Sequence, residues 1–212
     1  MRVAVLSESS ADEAAVRILV DAILKTPTTP VSLEASIGLR RGWPGVREDL
    51  PAVLKHLHYH TEAEAVVIVV DSDLSVPHEL AHPRPAPREL RCRFCELRDL
   101  CASVLGQLRP RPHQAAIRVA VGVAVPAIEA RLLCATQSHI SETTWRQVLA
   151  AQSARYTARS LKIELYGSHV PGLTHETKMM IQRATELSSN LDLLSQRFPD
   201  GFGPLMQALR EA

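Results

Sequence analysis

The sequence lacks several features that would identify whole classes of protein. No apolar run reaches the roughly 18 residues of a membrane-spanning helix, so no segment is expected to cross a bilayer. The formal net charge is only +1 over 212 residues, which gives no basic footprint for nucleic acid at the level of the whole chain but leaves a local patch open. The N-terminal MRVAVLSESS does not have the pattern of a signal peptide, and a cytoplasmic location is therefore expected.

Common catalytic motifs are missing as well. The chain contains no G-x-x-x-x-G-K-S/T, no G-x-G-x-x-G and no G-x-S-x-G. The first two absences exclude a P-loop ATPase and a dinucleotide-binding protein of the usual kind. Four cysteines in a chain without a secretory signal argue against a disulfide framework, which leaves metal binding or simple burial as their roles.

Apolar residues make up 46% of the chain and charged residues 22%, values typical of a folded globular protein. Apolar periodicity predicts strands at 2–7, 31–37, 65–70 and 116–125, and helices at 11–25, 46–60, 95–108, 127–135, 141–159, 174–197 and 203–211. Strands that alternate with helices predict an α/β fold with a mostly parallel sheet and helices on both faces. We expect an α/β domain over 1–140, with an insertion at 74–113, and a helical C-terminal extension over 141–212 packed on it.

Acidic residues follow two of the predicted strands. Glu8 stands just past the first strand, and Asp71 and Asp73 follow the fully apolar strand at 65–70. Ligands of parallel α/β sheets collect at the carboxyl ends of the strands, and residues i and i+2 of an extended segment point the same way. If the two strands are neighbours, the three carboxylates converge, and a hard divalent cation such as Mg²⁺ would balance their charge.

These acids lie in motifs that resemble the Toprim domain of topoisomerases, primases and overcoming-lysogenization-defect nucleases. Residues 8–14 (ESSADEA) are similar to the family pattern E-G-x-x-D-E-A, with Ser9 in place of the glycine, and VVDSD at 69–73 is similar to its D-x-D motif. The resemblance implies a Toprim-like fold, general acid/base catalysis by Glu8, and magnesium or manganese bound through Asp71 and Asp73.

Later segments resemble a bacterial Toprim-like family related to those nucleases, some members of which neighbour phage-defence genes. VAVPAIEARLLCA at 123–135 is similar to the family's V-x-x-I-E-A-W-L-L stretch, with Arg131 in place of the tryptophan. KIELYGS at 162–168 and FPDGFGPLMQAL at 198–209 are similar to its tail. The resemblance implies that Glu129 is a further catalytic or metal-binding acid and that Lys162 contacts the substrate.

The proline-rich insertion contains a pattern of histidines and cysteines. Its possible ligands are His78, His82, Cys92 and Cys95, in the spacing H-x3-H-x9-C-x2-C. A C-x2-C pair is a common half-site for zinc, and two histidines complete a tetrahedron. The same cysteines with Cys101, and with Cys134 as the fourth ligand, would suit an iron–sulfur cluster. A third interpretation is that no metal binds and the cysteines are buried apolar residues.

Three functions follow from these patterns. The first is a Mg²⁺-dependent nuclease that acts on nucleic acid, DNA before RNA, with Arg40, Arg41 and Lys162 as substrate contacts. The second is a non-catalytic Toprim-like sensor or scaffold in a phage-defence complex, beside a separate ATPase or as a homo-oligomer. The third and weakest is a metal-dependent phosphatase or receiver-like module.

Overall fold

A computed structural model describes residues 1–33, 38–79, 92–111, 115–151 and 156–211 of the chain. Four strands lie in these ranges: β1 (Arg2–Leu6), β2 (Thr29–Val31), β3 (Ala65–Asp71) and β4 (Arg118–Ala124). The same ranges contain nine helices: α1 (Ser10–Leu24), α2 (Gly42–His60), α3 (Arg93–Leu105), α4 (Ile128–Leu133), α5 (Glu142–Ala151), α6 (Ala158–Tyr166), α7 (Leu173–Ser188), α8 (Leu191–Arg197) and α9 (Gly203–Arg210). None of these helices combines the length and apolarity needed to span a bilayer.

The strands form one parallel sheet in the order β2-β1-β3-β4, which confirms the predicted α/β class. Strand β3 lies between two neighbours and its residues 65–70 are buried, as expected of a β-branched apolar run covered on both faces. Right-handed crossovers place α1 on one face of the sheet and α2 and α3 on the other. The contacts of α2 with α3, and of α1 with α7 and α9, agree with this arrangement.

Helix α1 begins and ends where its sequence provides caps. The Ser9 hydroxyl accepts a hydrogen bond from the Asp12 amide at 3.1 Å, and Lys25 ends the helix with a left-handed φ of 55°. A stripe of apolar residues faces the sheet and the C-terminal helices: Ala11, Ala15, Val16, Leu19, Val20 and Ile23. The helix therefore presents its N-terminal turn at the carboxyl end of β1.

Some elements differ from their predicted ranges. Strand β2 spans Thr29–Val31 and shares only Val31 with the strand predicted at 31–37; residues 32 and 33 are not in a strand, and residues 34–37 lie outside the described ranges. Its Pro30 is tolerated because β2 is an edge strand. The predicted helix at 141–159 corresponds to α5 and to only the first two residues of α6, a helix that starts at a capping box between Thr157 and Ser160 and was not predicted beyond residue 159. The helix predicted at 174–197 likewise divides into α7 and α8.

The C-terminal helices cover the α1 side of the sheet. Helix α7 packs along α1, α9 packs on β4, and α4 contacts α6 and α7. The division of the chain at residue 140 into a domain and an extension stays a prediction. On the other face, α3 is the crossover helix between β3 and β4, so the segment predicted as an insertion at 74–113 includes part of the α/β framework.

A buried arginine joins the C-terminal segment to β4. Arg131 is only 1% exposed, and its Nη2 donates to the carbonyl oxygens of Val123 at 2.7 Å and Gly201 at 2.9 Å. The Gly201 carbonyl also accepts from the Val123 amide at 3.0 Å, and the Gly201 amide donates to Glu142 Oε1 at 2.6 Å. The guanidinium lies 5.3 Å from the centre of the Phe202 ring. Residues 200–202 are thus fixed against the outer edge of β4.

Candidate functional site

Glu8 and Asp71 meet at the carboxyl edge of the sheet, because β1 and β3 are neighbouring strands. The Asp71 amide donates to Glu8 Oε1 at 3.0 Å. The Asp71 carboxylate accepts from the Ile128 amide at 2.9 Å, and so it also reaches the start of α4. Burial raises the pKa of Asp71 well above its ordinary value, and the neighbouring carboxylates raise it further. Burial likewise raises the pKa of Glu8.

Asp73 lies at the rim of this site. Strand β3 ends at Asp71, and Asp73 has a left-handed φ of 47°, so residues 71–73 are not extended throughout. The i and i+2 geometry assumed from sequence therefore does not apply at Asp73. Its side chain is 51% exposed and accepts from Arg93 Nη2 at 2.8 Å.

Arg93 connects the three acids expected from sequence. Its Nη1 donates to the Asp71 carbonyl oxygen at 2.6 Å and lies 3.4 Å from Glu8 Oε1. The guanidinium lies 4.9 Å from the centre of the Trp43 ring, and the Arg93 side chain is 12% exposed. Sequence reasoning missed this residue, which reads only as a spacer between Cys92 and Cys95. Glu8 and Asp73 thus come together through a cation supplied by the protein.

Glu129 lies in the first turn of α4 and is 2% exposed. Its Oε1 accepts from the Tyr166 hydroxyl at 3.2 Å and lies 3.7 Å from Lys162 Nζ. Its Oε2 is buried and has no hydrogen-bond partner among the described residues. Burial raises the pKa of Glu129, although Lys162 opposes that effect. The structure therefore brings Glu129 and Lys162 together, with one carboxylate oxygen of Glu129 unused.

Asp12 completes the group of acids, and sequence reasoning missed it as a site residue because an acid in a first helical turn is favourable anyway. Burial raises the pKa of Asp12 to about 7, and the nearby charges of Glu129 and Glu8 contribute to the shift. Its place four residues after Glu8, inside the quoted motif, was the available signal. We refer to Glu8, Asp12, Asp71 and Glu129 as the acid cluster.

The loop before α2 lies beside the acid cluster. The Gly42 amide donates to the Glu8 carbonyl oxygen at 3.0 Å. A cavity of about 280 Å³ lies between the two segments and is lined by Glu8, Ser9, Arg40 and Arg41, among others. The Arg40 guanidinium donates to Asp49 Oδ1 from Nε at 3.0 Å and from Nη2 at 2.6 Å, so it is already engaged. Arg41 is exposed at the mouth of this part of the site.

His78, Cys92 and Cys95 form a second candidate site, which we call the His/Cys group. All three residues are buried, and their ligand atoms lie within 4.8 Å of one another. His78 Nδ1 is 3.5 Å from Cys92 Sγ and 3.7 Å from Cys95 Sγ. This group could hold a metal ion such as Zn²⁺. The predicted fourth ligand, His82, lies outside the described residues, and Cys101 and Cys134 are buried cysteines that do not belong to the group.

No protein-family model matches the chain, and searches of the curated proteins and of the solved structures also found no match.

Proposed function

We propose that this chain is a magnesium-dependent enzyme that cleaves phosphodiester bonds, a nuclease of Toprim type. The observation that carries the proposal is the buried oxygen of Glu129 that lacks a partner, inside a cluster of acids. A carboxylate removed from water and left partly unpaired is costly, unless a proton or a cation compensates it.

The chemistry of the donor set suits a hard divalent cation, but the acids would have to move closer together to share one ion, since among the described residues only the His/Cys group has three ligand atoms within 4.8 Å of one another. All the candidate ligands are carboxylate oxygens, which Mg²⁺ and Mn²⁺ prefer over softer ligands. Glu8, Asp71 and Glu129 are the inner candidates, and Asp73 is the outermost because it lies at the rim beside Arg93. A divalent ion held by these acids would polarise a phosphoryl oxygen of the substrate.

The protein's own residues supply the remaining parts of the reaction. Glu8 is half-buried, and burial raises its pKa, which is the direction that favours proton uptake by a general base. Arg41, Arg93 and Lys162 surround the acids with positive charge and would bind phosphate oxygens. The cavity beside Glu8 gives room for a phosphate near Arg41. The resemblance to overcoming-lysogenization-defect nucleases favours DNA over RNA.

The test is cleavage of plasmid, single-stranded DNA and RNA with Mg²⁺ or Mn²⁺, by the wild-type chain and by Asp71→Asn. The asparagine carbonyl still accepts the hydrogen bond from Ile128, so the variant removes charge while keeping that contact. We expect cleavage by the wild type and a loss of about 100-fold or more in the variant, the size expected when a metal ligand is weakened.

Asp192→Asn is the matched control, because Asp192 is an exposed acid in the first turn of α8. It should cleave like the wild type. Equal cleavage by Asp71→Asn and the wild type would contradict the proposed site. Calorimetric titration of the same three proteins with Mn²⁺ reports on the site independently of the choice of substrate.

Arg93 favours a second candidate function, a non-catalytic Toprim-like subunit of a phage-defence complex. It already balances Glu8 and Asp73 with a protein cation. Such a subunit would act beside a separate ATPase or as a homo-oligomer. In that case Mn²⁺ would bind neither the wild type nor Arg93→Gln, and no nucleic acid would be cleaved.

A further inference from the structure

The distances from His78 Nδ1 to the two cysteine sulfurs are close to those of a tetrahedral zinc site. Zinc binds sulfur at about 2.3 Å and nitrogen at about 2.0–2.1 Å. A sulfur and a nitrogen that bind the same zinc ion in a regular tetrahedron therefore lie about 3.6 Å apart. His78 Nδ1 lies 3.5 Å and 3.7 Å from the two sulfurs. The histidine nitrogen therefore lies at the distance from each sulfur that a shared zinc ion requires, and all three residues are buried.

The first turn of α3 stabilises negative charge on the sulfurs of its own cysteines. Cys92 is the N-cap of this helix, and its sulfur accepts from the Cys95 amide at 3.4 Å. Amides and the positive end of the helix dipole stabilise a thiolate in this position.

His78 is held in place from outside the group. Its carbonyl oxygen accepts from Arg146 Nη2 at 2.7 Å, and the same nitrogen donates to Asp200 Oδ2 at 2.6 Å. Its ring lies 4.3 Å from the ring of Phe94. These contacts fix the histidine opposite the two cysteines. They also tie this site to α5 and to the C-terminal segment.

We propose that His78, Cys92 and Cys95 bind a zinc ion that positions Arg93 over the acid cluster. Arg93 is the residue directly after Cys92, in the first turn of the helix that the metal would anchor. Its hydrogen bonds to Asp71 and Asp73 depend on where that turn lies. The effect on catalysis rests on the proposed function, whereas zinc binding and the position of Arg93 do not. The described residues supply these three ligands.

The first experiment measures zinc in the purified full chain by mass spectrometry of the metal. We expect a single zinc ion per chain in the wild type and its loss in Cys92→Ser and Cys95→Ser. Cys101→Ser is the matched control, since Cys101 is also buried in α3 but lies outside the group, and it should keep its zinc. A wild-type chain that binds no zinc would overturn the proposal.

Cobalt provides a measurement that does not depend on the folding of variants. Co²⁺ in place of zinc gives a thiolate-to-metal charge-transfer absorption when cysteines coordinate it. The wild type should show this absorption, and zinc should displace it. A wild-type spectrum without that absorption would contradict ligation by Cys92 and Cys95.

Tryptophan fluorescence tests whether the metal positions Arg93, because the guanidinium stacks on Trp43. Removing zinc from the wild type with a chelator should shift the tryptophan emission. The shift should vanish in Trp43→Phe, which retains only Trp145, and in Arg93→Gln, which retains the zinc ligands. Zinc binding with no shift in the wild type, or with the same shift in Arg93→Gln, would refute the positioning role. None of these readouts requires nuclease activity, so they separate this proposal from the proposed function.

Discussion

Gly201→Ala is expected to destabilise the protein by about 3 kcal/mol, the upper range for forcing extra atoms into a packed core. A Cβ at this position would collide with the Val123 carbonyl oxygen and lie 2.5 Å from Glu142 Oε1. Neither neighbour can give way cheaply. The Val123 carbonyl is held by Arg131, and the Glu142 carboxylate is held by the amides of Asp200 and Gly201.

Urea unfolding of Gly201→Ala and Gly203→Ala measures this effect. Gly203 is the first residue of α9, and a Cβ there meets nothing within 4 Å among the described residues. Alanine also favours a helix over glycine, so Gly203→Ala should be as stable as the wild type or slightly more stable. Equal free energies of unfolding for the two variants would mean that residues 200–202 do not lie against β4.

The destabilisation by Gly201→Ala extends beyond the local collision, because residues 200–202 also provide a hydrogen-bond acceptor for a buried arginine. Arg131 donates to Gly201 as well as to Val123, and burial lowers its pKa to about 10. Displacing Gly201 would leave part of a buried guanidinium without an acceptor, which adds to the cost. A large loss of stability in Gly201→Ala is therefore expected even if the backbone moves to relieve the collision.

The sheet could be predicted because its signals are local. The apolar run at 65–70 is β3 without its last residue, and the periodicity at 11–25 matches α1 to within a residue at each end. Parallel pairing of the strands also follows from the alternation of strands and helices. The sequence left open whether the strands before Glu8 and Asp71 are neighbours, and the observed order β2-β1-β3-β4 places these two residues side by side.

Other parts of the site depend on contacts between distant segments, and no local pattern predicts those. Arg93 reaches back across 85 positions to Glu8, and Arg131 reaches forward across 70 to Gly201. Asp12 has the local pattern of a helix start, and only acids distant in sequence, Glu129 and Glu176, add to the charge that Glu8 places beside it. Glu129 and Lys162 were found through resemblance. The burial of Glu129 could not be predicted, because an acid in a first helical turn is usually exposed.

Asp12→Asn is expected to reduce the pH dependence of stability markedly. The pKa of Asp12 is raised from 3.8 to about 7 in the folded protein, so the folded state binds this proton more tightly than the unfolded state. Its stabilising contribution is therefore fully present below about pH 4 and is lost as the pH rises to about 7. A shift of about three pH units corresponds to at most about 4 kcal/mol. Asparagine stays neutral, so the variant should lose much less stability over this range.

Unfolding free energies measured between pH 4 and pH 8 for the wild type, Asp12→Asn and Asp192→Asn test this prediction. Asp192→Asn, which changes an exposed acid in another first turn, should follow the wild-type curve. Parallel curves for all three proteins would show that Asp12 is not buried among like charges.

The effect of Mg²⁺ on the free energy of unfolding provides a second test. If the acid cluster binds the ion, Mg²⁺ should stabilise the wild type more at pH 8 than at pH 5, where protons compete with it. Strong pH dependence without any effect of Mg²⁺ would instead indicate a cluster that is neutralised by protons and by Arg93, which agrees with the non-catalytic function.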